Sequence, residues 1–196
     1  MTSDNPTLSP LFRSWRPRLA ALAGALCLVI LPAHALGVGD TAPDFALDGT
    51  NGPVRLSDYR GKTVYLDFWA SWCGPCRQSF PWMNEMQTRY QAKGLRVVGV
   101  NVDQNAKDAE GFLRALPARF DVAYDAAGKT PRQYGIKGMP TSLLIGPDGK
   151  VLAVHSGFRA EQGTELEQKI KQALKERRPQ IGLWQGVLQI VAGIVV

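Results

Sequence analysis

The fold follows from one segment of the chain, Asp67-Phe68-Trp69-Ala70-Ser71-Trp72-Cys73-Gly74-Pro75-Cys76. Its first residues end an apolar run of β-branched and aromatic side chains, Thr63 to Trp69, which predicts a buried strand. A helical pattern follows, so Cys73 is expected at the N-terminus of a helix. Free N–H groups and the helix dipole stabilise a thiolate at such a position, which makes Cys73 a candidate nucleophile.

The second cysteine, Cys76, lies one helical turn further on, within reach of a mixed disulfide formed at Cys73. The spacing therefore predicts a dithiol–disulfide exchange site. A Cys-x-x-Cys pair is also half of many zinc sites, but zinc usually takes four ligands. Because the chain has no second pair of cysteines, the redox interpretation is favoured. We expect no metal, and no cofactor beyond the redox-active disulfide.

The N-terminus has the pattern of an export signal. An apolar run, Leu19 to Leu31, ends at a small-x-small motif that favours cleavage after Ala35. The run is short for a membrane span, although an uncleaved anchor is the alternative. The basic residues before it are Arg13, Arg16 and Arg18. Residues 1–35 are therefore predicted to be a signal peptide or N-terminal anchor.

Export determines which cysteines remain in the mature protein. Cys27 lies in the apolar run and is lost on cleavage, which leaves Cys73 and Cys76. In an oxidising compartment this pair must be kept reduced by a dedicated electron donor, or else act as an oxidant. The formal net charge of +6 is spread along the chain, so no nucleic-acid partner is expected. We predict a periplasmic or extracytoplasmic protein, with inner-membrane anchoring as the alternative.

The pattern beyond the central segment predicts a mixed α/β domain. A strand at residues 95–102 follows the helix of residues 75–94, and this strand–helix–strand order implies a parallel βαβ unit. Other predicted elements are an N-terminal hairpin (strands 42–47 and 53–56, turn 48–52), a helix at 103–117, a strand at 120–124, a hairpin of strands 141–145 and 150–155, and a helix at 160–178. Pro81 should kink the first helix.

The last segment, residues 179–196, is an apolar tail without a charged side chain. It is barely long enough to span a bilayer and carries three glutamines. The basic residues that precede it would lie on the wrong side of the inner membrane for the positive-inside rule. An interfacial or protein-packed segment is therefore favoured over a span, and either terminus is a candidate point of membrane association.

Several ordered motifs resemble thioredoxin. These are residues 67–76 with Pro81 after them, residues 101–105, and residues 134–141, Tyr-Gly-Ile-Lys-Gly-Met-Pro-Thr. The N-terminal hairpin, the helix-bearing insertion at 103–124 and the export signal resemble the TlpA/ResA-like branch of exported thioredoxins. The resemblance covers residues 37–176, and it implies a thioredoxin-like fold: a mixed sheet flanked by helices. We place this domain at residues 37–178.

The resemblance also implies roles for individual residues. Cys73 would be the attacking thiol and Cys76 the resolving thiol. Asp67 occupies the place of the buried aspartate of thioredoxin and would exchange a proton with Cys76, a task that suits a carboxyl with a raised pKa. Pro140 would be a cis-proline facing the disulfide, and the backbone of Met139 would pair with an extended substrate segment.

Three more residues complete the expected substrate-binding surface: Trp72, Gly74 and Pro75. Trp69 is interpreted as core. One position departs from thioredoxin, because Gly99 stands where that family has a lysine near the buried aspartate. The carboxyl group of Asp67 would therefore lack a cationic neighbour.

The sequence favours an exported thiol–disulfide oxidoreductase that reduces disulfides of extracytoplasmic proteins and is recharged by a membrane thiol donor. By resemblance, its targets include apocytochrome c cysteines and copper-site assembly proteins. Two alternatives remain. A Sco-type copper(I) carrier fits soft thiolate ligands, but Sco-like proteins have three residues between the cysteines and a histidine. His155 is instead interpreted as a strand-surface residue away from Cys73. A thiol peroxidase would need Thr or Ser where Ala70 stands.

Overall fold

A computed structural model describes residues 35–176 of the chain. The predictions made for the signal peptide, apart from Ala35, and for the apolar tail therefore lie outside the described residues. Among the helices of residues 35–176, none combines the length and the apolar character needed to cross a bilayer.

The centre of the sheet is strand β3 (Thr63–Trp69), in which all seven residues are buried. It runs parallel to β4 (Leu95–Asn101) and antiparallel to β6 (Thr141–Ile145). Helix α1 (Gly74–Tyr90) connects β3 to β4, so the predicted parallel βαβ unit is confirmed. A strand buried on both faces needs apolar side chains at almost every position, which is the pattern seen in residues 63–69.

The remaining strands extend this core to a seven-stranded mixed sheet. They are β1 (Ala46–Gly49), β2 (Val54–Arg55), β5 (Asp121–Tyr124) and β7 (Val151–Ser156). The strand order is β2-β1-β5-β4-β3-β6-β7, and β6 with β7 forms the predicted C-terminal hairpin. The predicted α/β class with a mixed sheet, an N-terminal hairpin and an insertion that contains a helix is confirmed.

The other helices of the described region are α2 (Ala106–Ala115), α3 (Lys129–Gln133) and α4 (Gly163–Glu176). The prediction that a helix starts at Asp103 was wrong, because the Asn105 side chain accepts the Lys107 N–H at 3.1 Å and begins α2 there. A 3₁₀ turn, Ala160–Gln162, precedes α4. Helix α1 is continuous past Pro81.

The N-terminal hairpin differs from its prediction in the bounds of its first strand and turn. The predicted turn at 48–52 is partly strand, because Asp48 and Gly49 pair with Tyr124 and Ala123 of β5. At Gly49 a Cβ atom would lie 2.7 Å from the carbonyl oxygen of Val122, so only glycine allows this close approach. The long-range pairing with β5 extends β1 into residues that read locally as a turn.

The two faces of the sheet carry two apolar clusters. Tyr65 and Trp69 of β3 pack with α1, α2 and α4 on one face, while Leu66 and Phe68 pack on the other. The indole of Trp69 lies with its centroid 4.8 Å from that of Phe80, and it is fully buried, which confirms its interpretation as core. Because side chains alternate along a strand, Asp67 points to the same face as Tyr65 and Trp69, beneath α1.

Candidate active site

The two cysteines occupy the junction between β3 and α1. Cys73 is the N-cap residue of α1, and Gly74 and Pro75 form its first two positions. The Sγ atom of Cys73 accepts a hydrogen bond from the backbone N–H of Cys76 at 3.2 Å. The two sulfurs form a disulfide bond, with Cα atoms 5.3 Å apart. The predicted helix N-terminus is confirmed, and its free N–H groups are available to a thiolate at Cys73.

Exposure differs sharply between the residues of this junction. Trp72 exposes 71% of its surface, Cys73 exposes 4% and Cys76 is fully enclosed. Gly74 and Pro75 are also exposed. The surface around the cysteines is therefore formed by Trp72 and the start of α1, and of the two cysteines only Cys73 retains any exposed surface.

The loop before β6 carries the predicted cis-proline. The Met139–Pro140 peptide bond is cis, as the resemblance implied. Pro140 is buried, and the strand that follows it begins with Thr141, which pairs with Phe68 near the end of β3. This register places Pro140 at the edge of the sheet where β3 leads into the cysteines. An open groove of about 500 Å³ runs along Gly138, Met139 and Pro140.

Asp67 lies in an apolar environment. The residue exposes 2% of its surface, and its Oδ2 atom has no hydrogen-bond partner among residues 35–176. Burial raises the pKa of the Asp67 carboxyl well above its usual range, because the charged form loses its hydration. The predicted burial of Asp67 is confirmed.

The residue that pairs with Asp67 on β4 is Gly99. A Cβ atom at Gly99 would lie 3.0 Å from a ring carbon of Phe120 and 3.1 Å from the indole nitrogen of Trp69. Two aromatic rings therefore fill the space next to this position, and a lysine side chain would not fit without moving them. The absence of a cation on β4 beside Asp67 is thus built into the core packing.

A buried clamp on the loop before Cys73 was missed by sequence analysis. The carboxylate of Asp103 accepts hydrogen bonds from the Ser71 backbone N–H at 2.9 Å, the Ser71 hydroxyl at 3.1 Å and the Asn101 side chain at 2.8 Å. Asp103 exposes only 5% of its surface. The available signal was the Asn-Val-Asp sequence at the end of a buried strand, in a segment already noted for its resemblance to thioredoxin.

His155 lies on β7, as predicted, but it is not a simple surface residue. It is partly buried, and its Nε2 atom is enclosed without a hydrogen-bond partner among residues 35–176. Leu166, Lys169 and Ile170 of α4 line a small cavity together with His155. Within the same range, no group of three or more His, Cys, Asp or Glu side chains is placed to hold a metal ion.

Comparison with known proteins gives the family of this chain. Residues 38–154 match the AhpC/TSA family. The chain belongs to the AhpC/TSA family. A thiol-disulfide oxidoreductase ResA from Geobacillus thermodenitrificans is 38% identical over 146 residues, which cover 74% of this chain and 80% of that protein. Another ResA, from Bacillus subtilis, is 35% identical over 129 residues, which cover 65% of this chain and 72% of that protein.

Solved structures agree with these relatives. A crystal structure described as a thiol:disulfide interchange protein DsbE, from Chlorobium tepidum, is 61% identical with a TM-score of 0.70, covering 71% of this chain and 99% of that one. The predicted thioredoxin-like fold and the resemblance to ResA-like proteins are confirmed. With its disulfide at the start of α1, this family member is a thiol–disulfide oxidoreductase.

Proposed function

We propose that this enzyme is an exported reductase, which transfers electrons from the Cys73–Cys76 dithiol to disulfides of extracytoplasmic partner proteins. The observation that supports the assignment of roles is the contrast between the two sulfurs. The Sγ atom of Cys73 receives an N–H hydrogen bond at the start of α1, and Cys73 keeps 4% of its surface exposed, while Cys76 is fully enclosed. A partner disulfide is therefore attacked by Cys73, and Cys76 reacts only within the enzyme.

The cycle begins with the reduced enzyme. The Cys73 thiolate attacks one sulfur of the partner disulfide, and the other partner sulfur leaves as a thiolate. Cys76 then attacks the Sγ atom of Cys73, which forms the disulfide seen in the structure and releases the first partner sulfur. The partner gains two electrons and takes up two protons from solvent. A thiol donor must then return two electrons to the enzyme.

Asp67 is proposed to remove the proton of Cys76 during the second step. Its side chain points beneath α1, the helix whose first turn contains Cys76. The thiol of an enclosed cysteine needs a nearby base, and a carboxylate whose pKa is raised by burial is a stronger base than an exposed one. Asp67 therefore serves as the base of resolution, and as the acid when the cycle runs in reverse.

The partner segment is proposed to bind along the loop before β6. Within residues 35–176, the backbone N–H and C=O of Met139 are not engaged in a backbone hydrogen bond, so they can pair with an extended chain. The groove beside Gly138 and Pro140 accommodates side chains of that segment, and exposed Trp72 offers a flat apolar contact. Gly74 and Pro75 leave the approach to Cys73 free of bulky side chains.

The partners and location proposed here rest on the sequence and on the relatives. The signal-like pattern of residues 1–35 supports export to the periplasm, with either terminus as the point of membrane association. Suitable partners are the cysteines of apocytochrome c or of copper-site assembly proteins, and a membrane thiol protein is the electron donor. The names of the relatives support exchange chemistry, and the choice of partner is ours.

A trapping experiment tests the assignment of the two cysteines. A Cys76→Ser variant should accumulate a mixed disulfide with a peptide that contains the Cys-x-x-Cys-His motif in its oxidised form, because resolution is blocked. The adduct should disappear on treatment with dithiothreitol. A Cys73→Ser variant, as the matched control, should form none. Trapping by Cys73→Ser in place of Cys76→Ser would overturn the roles, and trapping by neither variant would overturn the exchange cycle.

The equilibrium reduction potential tests the direction of the reaction. A reductase is expected to lie below about −220 mV, in the range between glutaredoxins and thioredoxin. A value close to about −120 mV, the potential of a strongly oxidising exchange protein, would show that the enzyme forms disulfides in its partners. The measurement uses the mature chain equilibrated in glutathione or dithiothreitol buffers.

A further inference from the structure

The groove beside the cis-proline carries a single charge. Its wall consists of apolar side chains, glycines and hydroxyl groups, and among the described residues that line it only Lys137 has a charged side chain. Lys137 is exposed, and its ammonium group forms no hydrogen bond or ion pair with any other residue of 35–176. An uncompensated cation in a groove that is otherwise uncharged favours a ligand that brings a carboxylate.

A second cation lies beside the loop that leads into Cys73. Arg77 follows Cys73 by one turn of α1. Its Nη2 atom lies 3.5 Å from the carbonyl oxygen of Ser71, and its guanidinium carbon lies 4.9 Å from the centre of the Phe112 ring. These contacts hold the guanidinium group next to the loop, although the side chain is exposed. Within residues 35–176 Arg77 forms no ion pair, so its charge is available to a bound partner.

The two carboxyl groups that β3 and β4 bring to this end of the sheet face inward. Asp67 exposes 2% of its surface and Asp103 exposes 5%. The oxygens of Asp103 already accept three hydrogen bonds, from Ser71 and Asn101. Neither carboxyl group is therefore presented to a partner that binds at the surface, whereas the cations of Arg77 and Lys137 are.

The start of α2 adds no net charge to this surface. Lys107 and Asp108 are adjacent and both exposed, so their charges offset each other. Further along α2, Glu110 forms an ion pair with Arg114 at 3.8 Å. The surface on which the partner is proposed to bind therefore owes its positive charge to Arg77 and Lys137.

A partner segment has to pass both cations to react. Its backbone is proposed to pair with Met139, which lies two residues after Lys137 in the same groove. Its disulfide has to reach Cys73, and the loop before Cys73 is where Arg77 is held. Side chains on the two sides of the partner disulfide therefore come close to one cation or the other.

We propose that this groove selects partner segments that carry an acidic residue beside the reactive disulfide. The proposal rests on the proposed function, because it assigns a substrate class to the same site. A carboxylate near Arg77 can accept two N–H bonds from the guanidinium fork, and one near Lys137 meets a compact ammonium charge. The rest of the groove is lined by side chains such as Ile136, Leu143 and Val154, which favour apolar neighbours of the acidic residue.

The expected size of the preference follows from the exposure of both cations. Pairs of exposed charges contribute little each, so one matched carboxylate should change the rate of exchange by about threefold. The effect should appear mainly in the association of enzyme and partner, because complementary charges steer the encounter. It should also weaken with added salt, since exposed charges are screened within about 10 Å at 0.1 M ionic strength.

The preference is tested with oxidised peptides that share one Cys-x-x-Cys core and differ only in the residues on either side of it, which are Glu, Gln or Lys. The second-order rate of oxidation of the reduced enzyme is followed by tryptophan fluorescence in a stopped-flow instrument. The Glu peptide should react about fivefold faster than the Gln peptide, and the Lys peptide more slowly than either. Sodium chloride at about 0.5 M should remove most of the difference.

Substitutions assign the preference to the two cations. Lys137→Gln and Arg77→Gln should each reduce the ratio of the Glu rate to the Gln rate by about half, and the double variant should bring it close to one. Lys150→Gln is the matched control. Lys150 is exposed and precedes β7, which runs parallel to β3, so it lies at the end of the sheet away from Cys73. This control should keep the full ratio.

An uncharged disulfide separates recognition from reactivity. A nearby cation also stabilises the Cys73 thiolate, so every rate is divided by the rate of the same variant with bis(2-hydroxyethyl) disulfide. Equal rates for the three peptides would overturn the proposal. So would a preference for Glu that persists in the double variant, or a change of ratio in Lys150→Gln as large as in Lys137→Gln. If the unmodified enzyme fails to react with any of these disulfides, the proposed function itself is refuted.

Discussion

Replacing Asp103 by alanine is expected to destabilise the oxidised enzyme by about 3 kcal/mol, because the change removes the clamp on the loop before Cys73. The carboxylate accepts three hydrogen bonds, two from Ser71 and one from Asn101, and the residue exposes only 5% of its surface. Hydrogen bonds to a charged group contribute about 1.5–3 kcal/mol each, but they do not add. Ser71 is partly exposed, so water replaces some of what its two donors lose.

The Asn101 side chain determines the larger share of this cost. It exposes 1% of its surface, so its Nδ2 donor would be left unpaired in a dry site, at about 1–3 kcal/mol, while its Oδ1 atom keeps the hydrogen bond from the backbone N–H of residue 103. The isosteric change Asp103→Asn keeps one acceptor oxygen but places an amide opposite at least one other donor, and about half of the effect is expected. Both values refer to the enzyme with the Cys73–Cys76 disulfide intact, so that the redox state is the same in every sample.

The assay is urea and thermal unfolding followed by circular dichroism. A loss of 3 kcal/mol corresponds to a decrease of roughly 10 °C in melting temperature for a domain of this size. Asp108→Ala is the matched control, because it removes the same charge from an exposed position on α2 and should cost less than about 1 kcal/mol. A melting temperature of Asp103→Ala within 2 °C of the unmodified enzyme, at about the precision of such scans, would show that the three hydrogen bonds do not stabilise the loop.

Three further changes test separate parts of the structure. Burial raises the pKa of Asp67, so the folded state binds this proton more tightly than the unfolded chain, and the resulting stabilisation at low pH is lost as pH rises through the folded pKa. In urea titrations between about pH 4 and about pH 9, the Asp67→Asn variant should therefore gain stability relative to the unmodified enzyme as pH rises. A stability difference that stays the same across this range would contradict the raised pKa. The pKa of Glu167 is lowered to about 2, and the hydrogen bond from Tyr90 is the largest cause. The stabilisation from the ionised Glu167 is therefore present above the unfolded pKa of 4.5 and is lost as pH falls toward 2. Acid unfolding of Glu167→Gln should start from a lower stability and depend less steeply on pH, and curves parallel to those of the unmodified enzyme would refute this linkage. Gly99→Ala would bring a Cβ atom to 3.1 Å from the indole of Trp69, which should cost about 1–3 kcal/mol in urea unfolding and change the tryptophan fluorescence, whereas a neutral substitution would show that the rings move freely.

Local pattern was sufficient for the part of the site that is continuous in sequence. The helix cap at Cys73 could be predicted because a buried strand, a short loop and a helical pattern follow one another directly in the chain. The burial of Asp67 follows from its place in an uninterrupted apolar strand. The cis state of Pro140 has no local signal, since most bonds before proline are trans, and only the resemblance to thioredoxin implied it.

The groups that sequence analysis missed are joined across strands. Asp103 contacts Ser71 because the ends of β3 and β4 are adjacent in the sheet, and the pairing register that brings them together is not visible in either segment alone. The same holds for β1, which extends into the predicted turn because β5 offers it backbone partners. In both cases long-range pairing overrode the local preference.

The amino-acid order alone therefore specifies the chemistry of this enzyme. It places two sulfurs one helical turn apart, after a strand whose apolar residues require a buried position. Local sterics, periodicity and the helix dipole act over a few residues, so these features can be inferred from neighbours in the chain. The environment of the reaction depends on strand register, which aligns Asp67 with Ser142 and His155. The same register places Gly99 beside Asp67, and the rings of Trp69 and Phe120 fill the space next to Gly99. Register is set by the packing of the whole sheet, and for that reason the folded structure was required to find it.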